Sequence, residues 1–287
     1  MVRISKKIKI VLAAGVICAA FIAGNIWYSY NHLTVNNYAF SSEKVHEDLR
    51  IVVLADLHDH RFGDLNEKLV NKVLEQQPDL VLLVGDFLNR DSENSSVPLD
   101  LIRTFDGRVP LYFALGNHEI DYMNVGHPEL IEEIEALGVP VLEEEYVDLD
   151  IKGTPIRLGG MYAYAFSKDG ENIVPEPEKS FLEDFVATDR LKLMMAHRPD
   201  SFVFGDASKL WDIDLVMSGH DHGGQVVVPF FGGLYGGDQG YFPEYIHGMY
   251  EKDNIHIFVT SGLSSHFQLL PRFNNPPEVT VLDFVLR

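Results

Sequence analysis

Short apolar runs alternate with amphipathic segments from residue 49 onward. Four of the runs read RIVVLAD at 50–56, PDLVLLVGD at 78–86, VPLYFALGN at 109–117 and RLKLMMAH at 190–197. Their length and their content of branched apolar residues are typical of buried strands. Further strands are predicted at 213–220, 255–262 and 279–286, with shorter strands within 140–165.

Helical spacing separates these runs. Residues 64–77 place Leu65, Leu69 and Val73 at intervals that share one helix face, and Pro78 ends the segment. Helices are also predicted at 97–106, at 128–137 and near 178–188. This βαβαβα alternation implies a largely parallel central sheet, without an internal repeat or a second domain.

The N-terminal segment has a different pattern. Residues 10–28, IVLAAGVICAAFIAGNIWY, carry no charge and are long enough to cross a bilayer core of roughly 30 Å as a helix. Aromatic residues, which favour a membrane interface, follow the run. Four basic residues precede it: Arg3, Lys6, Lys7 and Lys9.

This pattern predicts a retained signal anchor over residues 10–30, with a basic cytoplasmic segment at 1–9 and the body outside the cell. The protein would then be a single-pass protein of the cell membrane with an extracytoplasmic catalytic domain. A cleaved signal peptide is the alternative, because Cys18-Ala19-Ala20 forms a weak cleavage site. Residues 31–48 are polar and aperiodic and predict a linker.

Charge and cysteine content limit the partners. The 287 residues carry a net charge of −20, and those after residue 9 hold 19 basic and 43 acidic side chains, a net of −24. Such a body repels nucleic acid backbones, so we expect no nucleic acid partner. Cys18 is the single cysteine, which excludes an intrachain disulfide.

Polar side chains appear where five of the apolar runs end. Because ligand sites of open α/β sheets gather at the carboxyl ends of strands, we expect one shared site there. The donors are two carboxylates, one amide and several imidazoles, a set that suits Mn, Fe, Zn or Co better than Mg or Ca. They exceed the needs of one tetrahedral zinc, which favours two metals sharing a carboxylate. The residues are Asp56, His58, Asp86, Asn117, His118, His197, His220 and His222.

These residues also form a known pattern. The order Asp56-x-His58, Gly85-Asp86, Gly116-Asn117-His118-Glu119, His197 and Gly219-His220-x-His222 resembles the calcineurin-like metallophosphoesterases over about residues 49–287. The stretches GHDHGGQ, VPFFGGLYGGDQG, GMY, GLSS and PRFNNPPE resemble the membrane-associated bacterial phosphodiesterase branch. That branch includes enzymes similar to UDP-2,3-diacylglucosamine diphosphatases.

The resemblance implies an α/β fold, a four-layer sandwich of two mixed β-sheets flanked by helices, in a catalytic domain over 49–287 that follows the transmembrane helix. It implies two divalent metals, with Mn favoured over Fe, Zn or Co. It also implies that His118 does not ligate but hydrogen-bonds the phosphate or protonates the leaving group. The implied ligands are Asp56, His58 and His222 for the first metal, Asn117, His197 and His220 for the second, and Asp86 for both.

The implied reaction is hydrolysis of a phosphodiester or pyrophosphate bond by a metal-bridging hydroxide. The membrane anchor favours a lipid-linked or envelope substrate. Three alternatives stay open: hydrolysis of a soluble nucleotide or a generic phosphate ester, a non-catalytic metal-binding scaffold on the same fold, and a hydrolase with a single zinc.

Several further residues are secondary candidates. Those for substrate or ligand contacts are His60, Arg61, Arg198, His247 and His266. Asp221 is either an acceptor that steadies a neighbouring histidine or a solvent-facing carboxylate. An aromatic group either lines a lipid or nucleobase pocket or packs in the core; it comprises Phe230, Phe231, Tyr235, Tyr241 and Phe242. Ordinary surface or packing positions are predicted for His32, His46, His127 and His256.

Overall fold

Two β-sheets face each other in a computed structural model that describes residues 5–162, 178–204, 207–266 and 270–287. The first sheet has five strands and the second has six. Both sheets are mixed, with parallel and antiparallel pairs of neighbouring strands. The predicted sandwich of two mixed sheets is confirmed. Arg3 lies outside the described residues.

The elements have the following bounds. The helices are α1 (Lys6–Asn31), α2 (Glu67–Leu74), α3 (Ser96–Phe105), α4 (Asn117–Asn124), α5 (Leu130–Glu135), α6 (Glu178–Val186), α7 (Asp200–Val203) and α8 (Ala207–Leu210). The sheet strands are β1 (Thr34–Ser42), β2 (Leu49–Leu54), β3 (Leu80–Val84), β4 (Leu111–Ala114), β5 (Glu145–Ile151), β6 (Thr154–Met161), β7 (Leu191–Ala196), β8 (Leu215–Ser218), β13 (Gly248–Lys252), β14 (Ile255–Val259) and β15 (Glu278–Leu286). Two small hairpins pair β9 (Val227–Val228) with β10 (Gly232–Gly233), and β11 (Tyr235–Gly236) with β12 (Gly240–Tyr241).

The first sheet has the strand order β1-β15-β2-β3-β4 and the second β13-β14-β8-β7-β6-β5. Strands β2, β3 and β4 run parallel, as do β6, β7, β8 and β14, whereas β15 is antiparallel to β2.

Alternating side chains of the strands build separate core layers. On β2, Ile51 and Val53 face the second sheet, whereas Val52 and Leu54 pack under α2, α3 and α5. Because neighbouring residues of a strand point to opposite faces, both faces of this sheet are buried. A third apolar cluster packs α6 against the outer face of the second sheet. This layering explains why the strands read as continuous apolar runs.

Two elements differ from the sequence predictions. Residues 34–42, which fall in the predicted linker, form β1, which pairs in parallel with β15 at the edge of the first sheet. Their sequence, TVNNYAFSS, is polar because only Phe40 of this strand is buried, so it lacks the apolar run that predicts a strand. Residues 117–124 form α4, which lacks the apolar periodicity of a helix.

Helix α1 is long and apolar enough to cross a membrane, and a signal sequence has the same properties. Its final turns contact the body. Asn25 donates a hydrogen bond to Asn274 at 2.7 Å, and Ser29 is buried and accepts one from the backbone N–H of Asn275 at 3.3 Å. Tyr30 contacts the hydroxyl of Ser265 at 3.3 Å. The C-terminal part of α1 is thus part of the folded structure.

Candidate metal centre

The carboxyl ends of five strands bring the predicted donors together. Strands β2 and β3 end two residues before Asp56 and Asp86, and β4 ends three residues before Asn117. Strand β7 ends directly before His197, and β8 ends two residues before His220. The donor atoms of Asp56, His58 and His222 lie within 4.8 Å of one another, as do those of Asp86, His197 and His220.

The backbone at this centre adopts an uncommon conformation. Asp56, His58, Asp86, His220 and His222 all have positive φ, between 47° and 70°. Non-glycine residues rarely adopt the left-handed region, and such strain collects at functional sites where the surroundings enforce it. The five positions are all predicted metal ligands. The turns after the strands therefore aim these side chains into one small volume at a cost in backbone energy.

Asp86 lies between the two donor groups. Its Oδ2 is 3.0 Å from Nε2 of His197 and 3.8 Å from Nε2 of His58. Its Oδ1 accepts the backbone N–H of His118 at 2.9 Å, at the start of α4. The carboxylate is buried. One oxygen is thereby fixed by the protein, and the other faces histidines of both groups.

Asp56 ties the loop after β8 to the end of β2. Both of its oxygens accept the backbone N–H of His220, at 3.1 and 3.2 Å. Its Oδ1 also lies 3.5 Å from Nδ1 of His222. Gly219 permits this approach, because a Cβ there would lie 2.7 Å from Asp56 Oδ2. The glycine before the paired histidines is therefore a steric requirement.

Hydrogen bonds fix which nitrogen of three histidines faces the centre. Nδ1 of His58 donates to Oδ1 of Asn89 at 2.9 Å, and Nδ1 of His197 donates to the carbonyl of Val84 at 2.8 Å. Nε2 of His220 donates to Asp238 at 3.1 Å. In each neutral ring the remaining nitrogen is then a lone-pair donor. Such partners orient metal-binding histidines in general.

The donor atoms that face the centre are buried and lack hydrogen-bond partners within the described part of the chain. Buried polar atoms left unpaired are costly, so a group of them in one place indicates a ligand-binding site. Their mixture of nitrogen and oxygen fits a transition-metal cation. They are Nε2 of His58, Oδ1 of Asn117, Nε2 of His197, Nδ1 of His220 and Nδ1 of His222.

His118 differs from these histidines in its tautomer. Its Nδ1 accepts the backbone N–H of Arg90 at 3.1 Å. The proton of the neutral ring is therefore on Nε2, which lies 4.0 Å from Oδ2 of Asp86 and faces the centre. Where the predicted ligand histidines present a lone pair, His118 presents an N–H donor.

Burial and charge set the pKa values of the centre. Burial lowers the pKa of His58 to about 3 and holds the pKa values of His220 and His222 well below their usual range, so these imidazoles are neutral. Burial raises the pKa of Asp56 to about 7. For Asp86 burial acts upward, but the nearby imidazole of His197 leads the opposing effects and holds the pKa well below normal.

The pKa of His197 reflects the same attraction between its imidazole and the carboxylate of Asp86. Burial acts to lower its pKa, but the charge of Asp86 and then that of Asp56 raise it to about 10. Positive charge is therefore favoured between these two carboxylates. A bound cation would meet that preference directly and leave the imidazole neutral as a ligand.

A cavity of about 140 Å³ opens onto the centre. The cavity contacts the donor side chains at its base and Gln225, Tyr235 and Gly237 at its wall. Its small volume suits a phosphate group and the atoms next to it, with the rest of a substrate outside.

Several secondary candidates lie away from the cavity. Arg61 pairs with Asp100 at 3.1 Å, and His247 pairs with the buried Glu278 at 3.1 Å. His60 lies against Tyr30 of α1, with 6.3 Å between the ring centroids. Of the late-loop histidines, His266 is near the centre, with its ring 5.8 Å from that of His118.

Arg198 is buried and forms ion pairs with Asp200 and Asp238, the carboxylate that contacts Nε2 of His220. Asp221 is fully buried and accepts a hydrogen bond from Gln239 at 2.6 Å. The solvent-facing alternative for Asp221 is therefore wrong, and burial raises its pKa well above normal.

The aromatic group divides in two. Tyr235 lines the cavity, whereas four members are exposed, which excludes the core-packing interpretation for them. Those four are Phe230, Phe231, Tyr241 and Phe242. The predicted surface or packing histidines His32, His46, His127 and His256 lie outside the donor groups of the described centre.

Sequence reasoning missed the residues that support the donors. Glu119 accepts the backbone N–H groups of Asp86, Phe87 and Gly116, at 2.7, 2.7 and 2.8 Å, and so holds the turn after β3 against α4. Asn89 and Asp238 orient their histidines as described above. A capping signal at Glu119, three residues after Gly116, was available in the sequence, whereas Asn89 and Asp238 give no local signal.

Comparison with known proteins identifies a family whose sequence pattern matches most of the chain. The family described as calcineurin-like phosphoesterase matches residues 49–224. Phosphodiesterase YaeI of Escherichia coli (strain K12) is 29% identical over 279 residues, which cover 93% of this chain and 96% of that protein. The uncharacterized metallophosphoesterase YkuE of Bacillus subtilis (strain 168) is 28% identical over 282 residues, covering 94% and 92%.

An uncharacterized metallophosphoesterase of Campylobacter jejuni is 28% identical over 83% of this chain, which spans only 59% of that protein's length. Solved structures with a similar arrangement include phosphopantetheinyl hydrolase of Mycobacterium tuberculosis, at 13% identity and a TM-score of 0.44, covering 74% of this chain and 89% of that one. A purple acid phosphatase of yellow lupin has 15% identity and a TM-score of 0.45, with 81% and 46% covered.

Proposed function

The chain belongs to the calcineurin-like phosphoesterase family and is a metal-dependent phosphoesterase, and on that premise we propose that it hydrolyses phosphodiester or pyrophosphate bonds with two metal ions. The observation that carries the proposal is the pair of donor groups, Asp56-His58-His222 and Asp86-His197-His220, with Asp86 between them. One tetrahedral zinc would leave several of these donors unused.

The residues divide naturally between two cations. Asp56, His58 and His222 would hold the first, and Asn117, His197 and His220 the second, with Asp86 shared. Mn²⁺ is the favoured ion among those that accept nitrogen and oxygen donors. When bound, the two cations supply charge neutralisation to the phosphoryl oxygens and a nucleophile derived from water near neutral pH.

The protein's own contribution is orientation and a proton donor. The Nε2–H of His118 faces the cavity, and it would donate to a phosphoryl oxygen or to the leaving oxygen. Because burial lowers the pKa of His118, the ring is neutral and acts first as a hydrogen-bond donor. With every predicted donor position filled, turnover is favoured over a scaffold role.

A membrane position supports a lipid-linked or envelope substrate. The contacts of Asn25, Ser29 and Tyr30 with the body favour retention of α1 as an anchor over its removal as a signal peptide. A retained anchor with Lys6, Lys7 and Lys9 at its start would place the body outside the cytoplasm. The small cavity binds the phosphate, and a larger lipid part would remain outside it.

The activity is tested with the full chain in detergent, since removal of residues 1–30 would break the contacts of Ser29 and Tyr30. With Mn²⁺ added, we expect turnover of bis-p-nitrophenyl phosphate above that of p-nitrophenyl phosphate. His118→Ala should lower kcat by about 10²- to 10⁴-fold, because the variant loses a proton donor. Its metal content should stay unchanged, because all the proposed metal ligands are still present. His46→Ala, at an exposed histidine, is the matched control. No turnover of either ester by the metal-loaded chain would contradict the proposal.

Asp238 gives a separate test of the second metal position. Asp238→Asn removes the charge that orients His220, so we expect the affinity for one of the two metals to fall by about 10- to 100-fold. Metal content after dialysis, measured by mass spectrometry, should drop toward one ion per chain. Asp212→Asn removes a carboxylate paired with Lys192 at 2.6 Å and should retain both ions. Equal metal content in the two variants would show that Asp238 does not support the centre.

A further inference from the structure

The β9–β10 hairpin carries an exposed apolar tip. Its turn reads Pro229-Phe230-Phe231, and the side chains of Phe230 and Phe231 are 105% and 77% exposed. Isolated apolar residues at a surface are ordinary, but two adjacent phenylalanines at the end of a projecting hairpin form a contact surface.

Backbone hydrogen bonds place this hairpin beside α1. Val227 donates to the carbonyl of Phe273 at 2.9 Å, and Phe273 donates to that of Gln225 at 3.1 Å. The ring of Phe273 contacts that of Phe21 in α1, with 6.3 Å between centroids. Asn274 donates to the carbonyl of Val227 at 3.2 Å and also bonds Asn25.

The contacts of Phe21 and Asn25 locate the base of the hairpin along the axis of α1. Phe21 and Asn25 lie ten and six residues before the end of the helix, roughly 15 and 9 Å along its axis. Both belong to the uncharged run of residues 10–28. The base of the hairpin therefore lies beside the apolar part of α1, three to seven residues or roughly 5 to 10 Å inside the outer end of the 10–28 run. In a bilayer core of roughly 30 Å this is the outer half of the membrane.

Charge favours an apolar contact at this place. From Gly223 to Gly237 the chain has no charged residue, although the body after residue 9 carries a net charge of −24. Anionic lipid head groups would repel most of such a surface. The uncharged hairpin is a surface that enters the interface without that repulsion, and buried aromatic side chains supply the affinity.

On the premise, proposed above, that α1 is a retained anchor, we propose that the Phe230-Phe231 tip inserts into the outer interfacial layer of the same membrane. The tip is a second membrane contact that sets the orientation of the body. The hairpin begins at Val227, five residues after His222, and Gln225 and Tyr235 on either side of it line the cavity. Insertion therefore holds the cavity beside the lipid head groups.

Depth-dependent quenching tests this contact in the full chain. Single-cysteine chains carry a nitrobenzoxadiazole label at native Cys18, or at Phe231→Cys or Leu286→Cys in a Cys18→Ala background. They are placed in nanodiscs of phosphatidylethanolamine and phosphatidylglycerol with or without brominated acyl chains. Leu286 is the matched control, since it is 59% exposed at the far end of β15, eight residues or roughly 26 Å from Glu278 near α1.

We expect bromolipid quenching at Cys18 and at Phe231→Cys, and none at Leu286→Cys. Quenching at Cys18 alone would overturn the tip contact and leave the anchor intact. Absence of quenching at Cys18 would overturn the anchor and the tip contact with it, while phosphoesterase activity is measured separately. Energy transfer between labelled tips without quenching would show pairing with a second copy and also overturn the proposal. A second tip label at Phe230→Cys, with unfolding temperatures for each variant, guards against a folding defect.

Discussion

Replacing Asp86 with alanine is expected to lower kcat for bis-p-nitrophenyl phosphate by about 10³-fold or more, and to reduce bound metal well below two ions per chain. The reason is the position of the carboxylate between the two donor groups, with Oδ2 at 3.0 Å from His197 and 3.8 Å from His58. Loss of Asp86 would remove one donor from each proposed metal position and would leave the buried imidazoles of His58 and His197 beside an unfilled volume. Initial-rate assays measure the change in kcat, and metal analysis of the same preparation measures the change in bound metal.

A matched control separates chemistry from folding. Asp64→Ala removes an exposed carboxylate in the short turn before α2 and should leave kcat and metal content unchanged. Unfolding temperatures in the presence of chelator compare the two variants without bound metal. Turnover of Asp86→Ala within tenfold of the parent chain would contradict the shared-carboxylate arrangement. Full metal content with lost turnover would assign Asp86 to chemistry and not to metal binding.

The sequence reveals the strands and the predicted donors for one physical reason. Strands buried on both faces must be continuously apolar, so the first polar residue after each run marks the carboxyl end of the strand. Asp56, Asp86 and His197 follow this rule. The family resemblance adds the division of the donors, which periodicity alone does not give.

The sequence does not reveal features that depend on distant contacts. Edge strand β1 is polar because only one of its neighbours is a strand, and its pairing with β15 joins residues about 244 positions apart. The partnership of His58 with Asn89 and that of His220 with Asp238 arise from loops that meet only after folding. Their short polar sequences resemble ordinary turns. Positive φ at Asp56 and Asp86 is likewise imposed by the surrounding fold.

Arg272 is a further residue whose structural role the sequence does not reveal. Its side chain is fully buried, and its guanidinium donates to five backbone carbonyls and one side-chain amide. The shortest bonds reach the carbonyls of Ser261 and Ser264, both at 2.8 Å. Ser264 in turn donates its backbone N–H to the carbonyl of Asp56 at 2.7 Å. A single cation thus holds together the loop that packs against the first donor group.

No shorter or uncharged side chain can donate the set of hydrogen bonds that Arg272 donates. A guanidinium offers five donors in a fixed plane, whereas an ammonium offers three and a thioether none. Burial lowers the pKa of Arg272 to about 10, so the group is still charged at neutral pH. Carbonyls that lose such a donor inside the protein cannot reach water and carry the full cost of desolvation.

Arg272→Met is therefore expected to lower the free energy of unfolding by about 4 kcal/mol or more, and Arg272→Lys by less, since the lysine keeps the charge and some of the donors. Chemical unfolding of the full chain in detergent, followed by circular dichroism, measures the difference. Arg103→Met, at an exposed arginine 3.4 Å from Asp100, should change the value by less than about 0.5 kcal/mol. A loss below about 1 kcal/mol for Arg272→Met would mean that the loop carbonyls find other donors. The loop would then be held by its backbone bonds to Ala55 and Asp56 rather than by this arginine.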